Sequence, residues 1–280
     1  MFRLIHLEWI KTFRKGRTYI GFIAISVLLP LVFIGLKLDG GRFLTGSKSY
    51  GLLANNFFIM GNLVNGFFVS QLVMYSLMVH IPFFIALVAG DQVAGEAASG
   101  TLRMVLIRPP SRLSLMASKA AISLVYTVML VACLAVLSLG LGIIIFGTGD
   151  LLVRAEGLLI LPKQQALYRF LIAYPLAMLA MAVVAALALL LSVLVENAIG
   201  PIIGTMAIVV ISVIISETPI SLFEKIRPFL FTTYTKVWEM AFLDPMPLSD
   251  IVLSIVYLLL YMLIFFGAAF IIFQRRDILS

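Results

Sequence analysis

The chain is poor in charge. Only 12% of its 280 residues are Asp, Glu, Lys or Arg, about half the share of an ordinary soluble domain, which is roughly 25%. Hydrophobic residues make up 62%, and the mean hydropathy is +1.15. A water-soluble fold has no interior large enough to hide that much apolar surface, so most of it must face lipid or other membrane spans. Cysteine is nearly absent: Cys133 stands alone, which excludes a disulfide framework and a thiolate metal cluster. Histidine occurs twice, at His6 and His80, far apart and without a paired carboxylate, so a zinc-hydrolase site lacks its ligands. A phosphate loop is missing as well. The stretch GGRFLTGSKS at 40–49 has the glycines, but Ser47 fills the position where a lysine must directly follow the second glycine.

What is abundant is apolar sequence free of any charged residue. Six such runs, 18–36, 67–90, 120–149, 170–195, 197–216 and 251–274, are about as long as a helix needs to cross roughly 30 Å of hydrocarbon, which takes about 20 residues. They are continuously apolar, whereas a transmembrane barrel alternates. The expected fold is therefore an all-α integral membrane protein of six transmembrane helices in one domain spanning 1–280. The first run is longer than a signal-peptide core and no small-residue cleavage site follows it, so it is expected to be retained. Before it, Leu4, Ile5, Trp9, Ile10 and Phe13 recur at helical spacing, which predicts an interfacial helix over 1–17. Of the 20 Lys and Arg, 11 fall on the side of the N-terminus and 9 on the other. The bias places both termini in the cytoplasm.

One internal segment is unlike its surroundings. Between the second and third runs lies GEAASGTLRMVLIRPPSR, at 95–112, with two glycines, a proline pair and four charges. Gly100 suits a left-handed helix stop, Thr101 can cap a short helix over LRMVLI, the prolines end it, and Ser111 can cap the next. A plain connection needs none of these corners. Glu96 is an acid in a basic loop and is expected to pair, either within the chain or across an interface.

The order of Glu96, Gly100, Thr101 and Leu102, followed by Pro109, Ser111, Arg112 and Lys119, resembles the cytoplasmic loop of ABC type-2 (ABC-2) transporter permeases. The termini, HLEWIKTFR at 6–14 and FQRRDILS at 273–280, are similar to that family's ends. The resemblance implies a six-helix exporter subunit of the type V kind in the bacterial inner membrane. It implies a coupling helix within 91–119 that docks on a separate cytoplasmic ATPase, present in two copies, with ATP and Mg bound there and no cofactor in this chain. A second permease subunit, forming a homodimer or a related pair, is implied too, and no nucleic-acid partner. On this pattern Glu96, Gly100, Thr101, Leu102, Arg103, Arg108, Pro109 and Arg112 are the ATPase-coupling residues. The physics agrees: a stiff bracketed helix can transmit motion, and guanidinium groups suit carboxylates on a partner.

In such permeases the second and fifth helices line the export path, which makes Gln71, Tyr75 and His80 the candidate path residues. Ionisable side chains at that depth face protein or water. Pro82 can kink the second helix. Gly200 and Gly204 form a small-residue step read as helix packing. The external stretches carry aromatics among polar residues: 49–66 is expected to fold as an external or re-entrant helix and 217–250 as amphipathic helices on the outer face, and either could form a gate or bind an accessory protein. The alternative is a stand-alone channel, secondary transporter or intramembrane enzyme that uses His80 and Asp91.

Overall fold

A computed structural model describes residues 2–46, 64–101, 111–154 and 158–275. The chain runs α1 (Phe2–Phe13), a 3-10 turn (Gly16–Tyr19), α2 (Ile20–Gly46), α3 (Gly66–Met78), α4 (Ile81–Ala89), α5 (Asp91–Ala98) and α6 (Arg112–Phe146). After the antiparallel strands β1 (Leu151–Arg154) and β2 (Leu158–Leu161) come α7 (Lys163–Leu194) and α8 (Gly200–Glu217). The short helices α9 (Ser221–Glu224), α10 (Phe231–Tyr234) and α11 (Val237–Met240) lead to α12 (Leu248–Arg275).

Five of these helices are long and apolar enough to cross a membrane, and α3 with α4 make a sixth span if the bent pair counts as one. The fourth span, α7, is the central pillar: 78% of its apolar window is buried, against 11% for α12. Small residues explain the difference. Ala173, Ala177, Ala180, Ala185 and Ala188 are fully buried, and side chains of that size let α4, α6, α8 and α12 approach closely. The outer helices instead expose apolar side chains such as Leu31, Ile211 and Leu263, the surface that lipid or another span must cover.

The second span is broken. It bends by 48° between Met78 and Ile81, where Pro82 occupies the first turn of α4. Proline fits there because the first helical N–H groups need no partner within the helix. At its start, the Asn65 side chain accepts from the Phe67 and Phe68 amides, both at 3.1 Å, and donates to the Asp150 carbonyl at 2.6 Å. Just beyond, a Cβ on Gly66 would fall 2.5 Å from the Gly142 carbonyl group, so glycine permits the tight crossing of α3 and α6.

One feature corrects the all-helical expectation, and the stretch 217–250 does hold helices, though short ones. Residues 151–154 and 158–161 pair as antiparallel strands with Leu151 opposite Leu161. These four-residue runs are too short to register as a span, and backbone groups leaving a membrane-spanning helix need hydrogen-bond partners that pairing supplies. Between α8 and α12, residues 218–247 hold only short helices, with Pro219 before α9, Pro228 after it, and Pro245 and Pro247 ahead of α12. The stretch is fastened instead by Arg169 of α7, 7% exposed, which donates to the carbonyls of Ala241 (3.3 Å) and Leu243 (2.7 Å) and pairs with Asp244 at 3.2 Å. The expectation for 49–66 falls largely outside the described residues.

Candidate functional site: a buried ionic ring

At the end of the bundle where α1 lies, four charged side chains close a ring of alternating sign. Lys11 pairs with Glu8 at 2.8 Å, Glu8 with Lys119 at 2.9 Å, Lys119 with Glu96 at 2.8 Å, and Glu96 with Lys11 at 3.2 Å. Three separate elements contribute: α1, α5 and α6. The Lys119 side chain is fully enclosed, and its third donor reaches the Gln92 carbonyl at 2.8 Å. Isolated charges at such depth cost several kcal/mol each in desolvation, so the ring holds only because each charge faces two of opposite sign. Burial pushes the Glu8 carboxyl up, but Lys119 and Lys11 outweigh it and hold it below its ordinary 4.5. Burial likewise pulls Lys11 down, and Glu8 and Glu96 more than reverse this, so Lys11 stays above its ordinary 10.5.

A second cluster lies beside the first. Asp91 Oδ2 accepts from Lys15 at 2.7 Å and pairs with Arg17. Gly95 makes this possible, since a Cβ there would overlap the Asp91 carboxylate. Gln92 donates to Thr12 Oγ1 at 3.1 Å. The freed amides at the start of α5, those of Val93 and Ala94, donate to Ser192 Oγ of α7 at 3.0 and 2.9 Å. The foot of the second span is thus bonded to α1, α6 and α7 at once. A hollow of about 460 Å³ lined by Lys11, Lys15, Arg17, Glu96, Ser99 and Thr101 opens beside it.

The expected helix before the first span is α1. Its Glu8 and Thr12 are buried, Leu4, Ile5, Trp9, Ile10 and Phe13 are half-buried, and Phe2 and Leu7 are exposed. Polar contacts through Glu8, Lys11 and Thr12 join the helix to the protein, and Phe13 packs against the core.

The coupling residues divide at the limits of the described chain. Glu96 is in the ring. Gly100 has φ +69°, the left-handed stop. Thr101 donates to the Glu96 carbonyl at 3.3 Å. Arg112 donates to the Gln274 carbonyl at 3.1 Å, joining the start of α6 to the end of α12, and Ser111 caps α6 by accepting from the Ser114 amide at 3.2 Å. Leu102, Arg103, Arg108 and Pro109 lie outside the described residues.

The path residues separate from one another. Gln71, 6% exposed, and Tyr75 line a cavity of about 280 Å³ with Phe68, Leu152, Val153 and Glu239. His80 is exposed at the break, bonded to the Ser76 carbonyl at 3.0 Å, and does not line that cavity. Nor does His80 meet Asp91: α4 stands between them and, at about 1.5 Å per residue, holds them more than 10 Å apart. Gly200 and Gly204 face the end of α7, where added Cβ atoms would sit 3.0 Å from Val195 and 3.2 Å from Leu191.

Glu8, Lys11, Lys15 and Arg17 were missing from the candidates read off the sequence. The signal available was an acid inside a basic, membrane-flanking helix. Its partner, 111 positions along the chain, had no local signature.

Five helices fit to cross a membrane, one of them a buried pillar, make this a polytopic helical membrane protein. A family model described as "Protein of unknown function (DUF2705)" matches residues 40–279, and the chain belongs to that family. No curated protein matches it.

Proposed function

We propose that this chain is the permease subunit of an ABC-2 type exporter, working as a pair of permeases moved by two copies of a separate cytoplasmic ATPase. The observation that carries the proposal is the ionic ring. A soluble motor can move a membrane span only through an element rigidly joined to it. Residues 102–110, the coupling segment by resemblance, emerge from Gly100 and Thr101 on one side and return through Ser111 and Arg112 on the other. Both flanks are tied to spans. Upstream, Glu96 bonds to Lys119 at the start of α6 and to Lys11 of α1; downstream, Arg112 bonds to the end of α12. A push on the segment therefore reaches the second, third and last spans together. The hollow between Arg17 and Thr101 gives a partner side chain a polar seat beside that lever.

In this reading the ring faces the cytoplasm, and both termini lie there too. The test is affinity purification of the tagged chain from its own membranes in mild detergent. A subunit with nucleotide-binding motifs should accompany the wild type and be depleted by Glu96→Lys or by Pro109→Gly with Pro110→Gly. A wild-type chain that purifies alone and carries ion-driven flux in liposomes would refute the proposal and establish the stand-alone transporter instead.

A further inference from the structure

At the end of the bundle away from the ionic ring, three elements distant in the chain close a cavity of about 280 Å³. Helix α3 brings Gln71 and Tyr75, strand β1 brings Leu152 and Val153, and α11 brings Glu239. One polar group among them is unspent. Gln71 is 6% exposed, and its side-chain Nε2 has no hydrogen-bond partner. A buried donor left unmet is destabilising, so whatever fills the cavity must bring an acceptor to it. The other polar wall is already balanced. Glu239 has the charge of Lys236 acting on it, while Lys236 itself bonds to Glu217 at 2.7 Å. Burial pushes the Glu239 carboxyl up from its ordinary 4.5, Lys236 opposes this and Glu217 adds to it. Tyr75 is engaged as well: its ring meets Trp238 at 4.7 Å between centroids, so it forms a wall of the cavity.

The guest these walls select carries no net charge. A cation gains little from a carboxyl that a lysine already answers, and an anion would meet that carboxyl with no cation among the described lining residues. What fits is a set of hydroxyl groups, which accept from the Gln71 amide through oxygen and donate to Glu239 through hydrogen, whether that carboxyl is ionised or not. Phe68, Leu72 and β1 supply apolar surface, against which the C–H face of a ring can pack. The volume lies just below the roughly 300–1,000 Å³ of ligand sites in general, which limits the guest to about one ring. We infer that this cavity is a binding site for a small neutral polyol such as a single sugar ring, with a hydroxyl oxygen on Gln71 Nε2, a hydroxyl hydrogen on Glu239 and its C–H face along Phe68 and β1. Binding here is a property of this chain alone and independent of any motor.

The experiment uses the full chain in nanodiscs of zwitterionic lipid, titrated with glycerol, glucose and myo-inositol and followed by saturation-transfer NMR. Tetramethylammonium and acetate are the charged controls. Saturable binding above an empty-nanodisc blank is expected for at least one of the three polyols and for neither ion. Gln71→Leu, close to the original in size, should weaken the polyol about tenfold or more, the worth of one hydrogen bond to a buried group. Its melting temperature should hold or rise, because the unmet donor is gone. Leu72→Phe, which grows into the cavity from a half-buried position, should weaken binding too, whereas Gln164→Leu at an exposed position should leave affinity unchanged. No saturable polyol binding to the folded wild type, equal binding of either ion, or unchanged affinity in a folded Gln71→Leu or Leu72→Phe would overturn the inference.

Discussion

Replacing Lys119 by methionine keeps most of the side-chain volume and removes the ammonium group. The enclosed Lys119 donates to Glu8 Oε2 and the Gln92 carbonyl and pairs by charge with Glu96 Oε2 at 2.8 Å. Without it, two carboxylates share one remaining cation, Lys11, whose side chain is 42% exposed. Removing one partner of a buried pair costs about 3–5 kcal/mol, a shift of at least roughly a hundredfold in the equilibrium that holds the ring closed. The penalty belongs mostly to the stranded acids. Adding Glu8→Gln to Lys119→Met should therefore recover part of the loss, because one acid is then neutral and the other is left to Lys11 alone. The assay is thermal unfolding in detergent, with hydrogen exchange of α1 as the local readout. Lys37→Met, at an exposed position, is the control. If Lys119→Met melts with the control and α1 exchanges no faster, the ring does not bind α1 to the spans.

Gly95→Ala would ordinarily favour a helix by about 0.5–1 kcal/mol. Here it should destabilise, because the new Cβ displaces the Asp91 carboxylate from Lys15 and Arg17; faster tryptic cleavage at those two residues would show it. The attachment of α1 should hold across neutral pH. Glu8 lies below its ordinary 4.5 when folded, so its contribution is intact above pH 4.5 and lost as pH falls through the lower folded value. Lys11 lies above its ordinary 10.5, so its share is intact below pH 10.5 and lost as pH rises through the higher one. A melting profile flat in between, with an acid limb that Glu8→Gln makes shallower, is the expected outcome. Arg169→Ala should cost about 2 kcal/mol or more, as hydrogen bonds to charged groups do, and should expose the stretch 221–247 to limited proteolysis while the spans stay protected.

The spans were legible because continuous apolarity over about 20 residues has one economical structure in lipid, a helix. Corners written in backbone chemistry were legible too: Gly100 takes the left-handed conformation and Ser111 caps α6. Glu96 stood out as an acid among bases, and it pairs within the chain. What the sequence hid depends on residues brought together from afar. Glu8 meets Lys119, Val93 meets Ser192, and Arg169 meets Leu243 with no local pattern to announce them. The inward polar face of α1 was hidden by its own amphipathic spacing, which points equally well to lipid. The strand pair at 151–154 and 158–161 escaped notice because two four-residue apolar runs carry too little periodicity to separate strand from loop. Gln71 and Tyr75 were named from the resemblance, and Glu239, which lines the same cavity, lies far along the chain, where only the fold brings it near.

The most direct test of the central claim is site-specific photo-crosslinking from position 105, within 102–110, in intact cells. A photoreactive residue replaces Val105, and the adduct is identified by mass spectrometry. The expected adduct joins position 105 to a cytoplasmic protein carrying nucleotide-binding motifs, and it is lost when Glu96→Lys breaks the ring. Crosslinks only to lipid, or only to this chain's own spans, would contradict it.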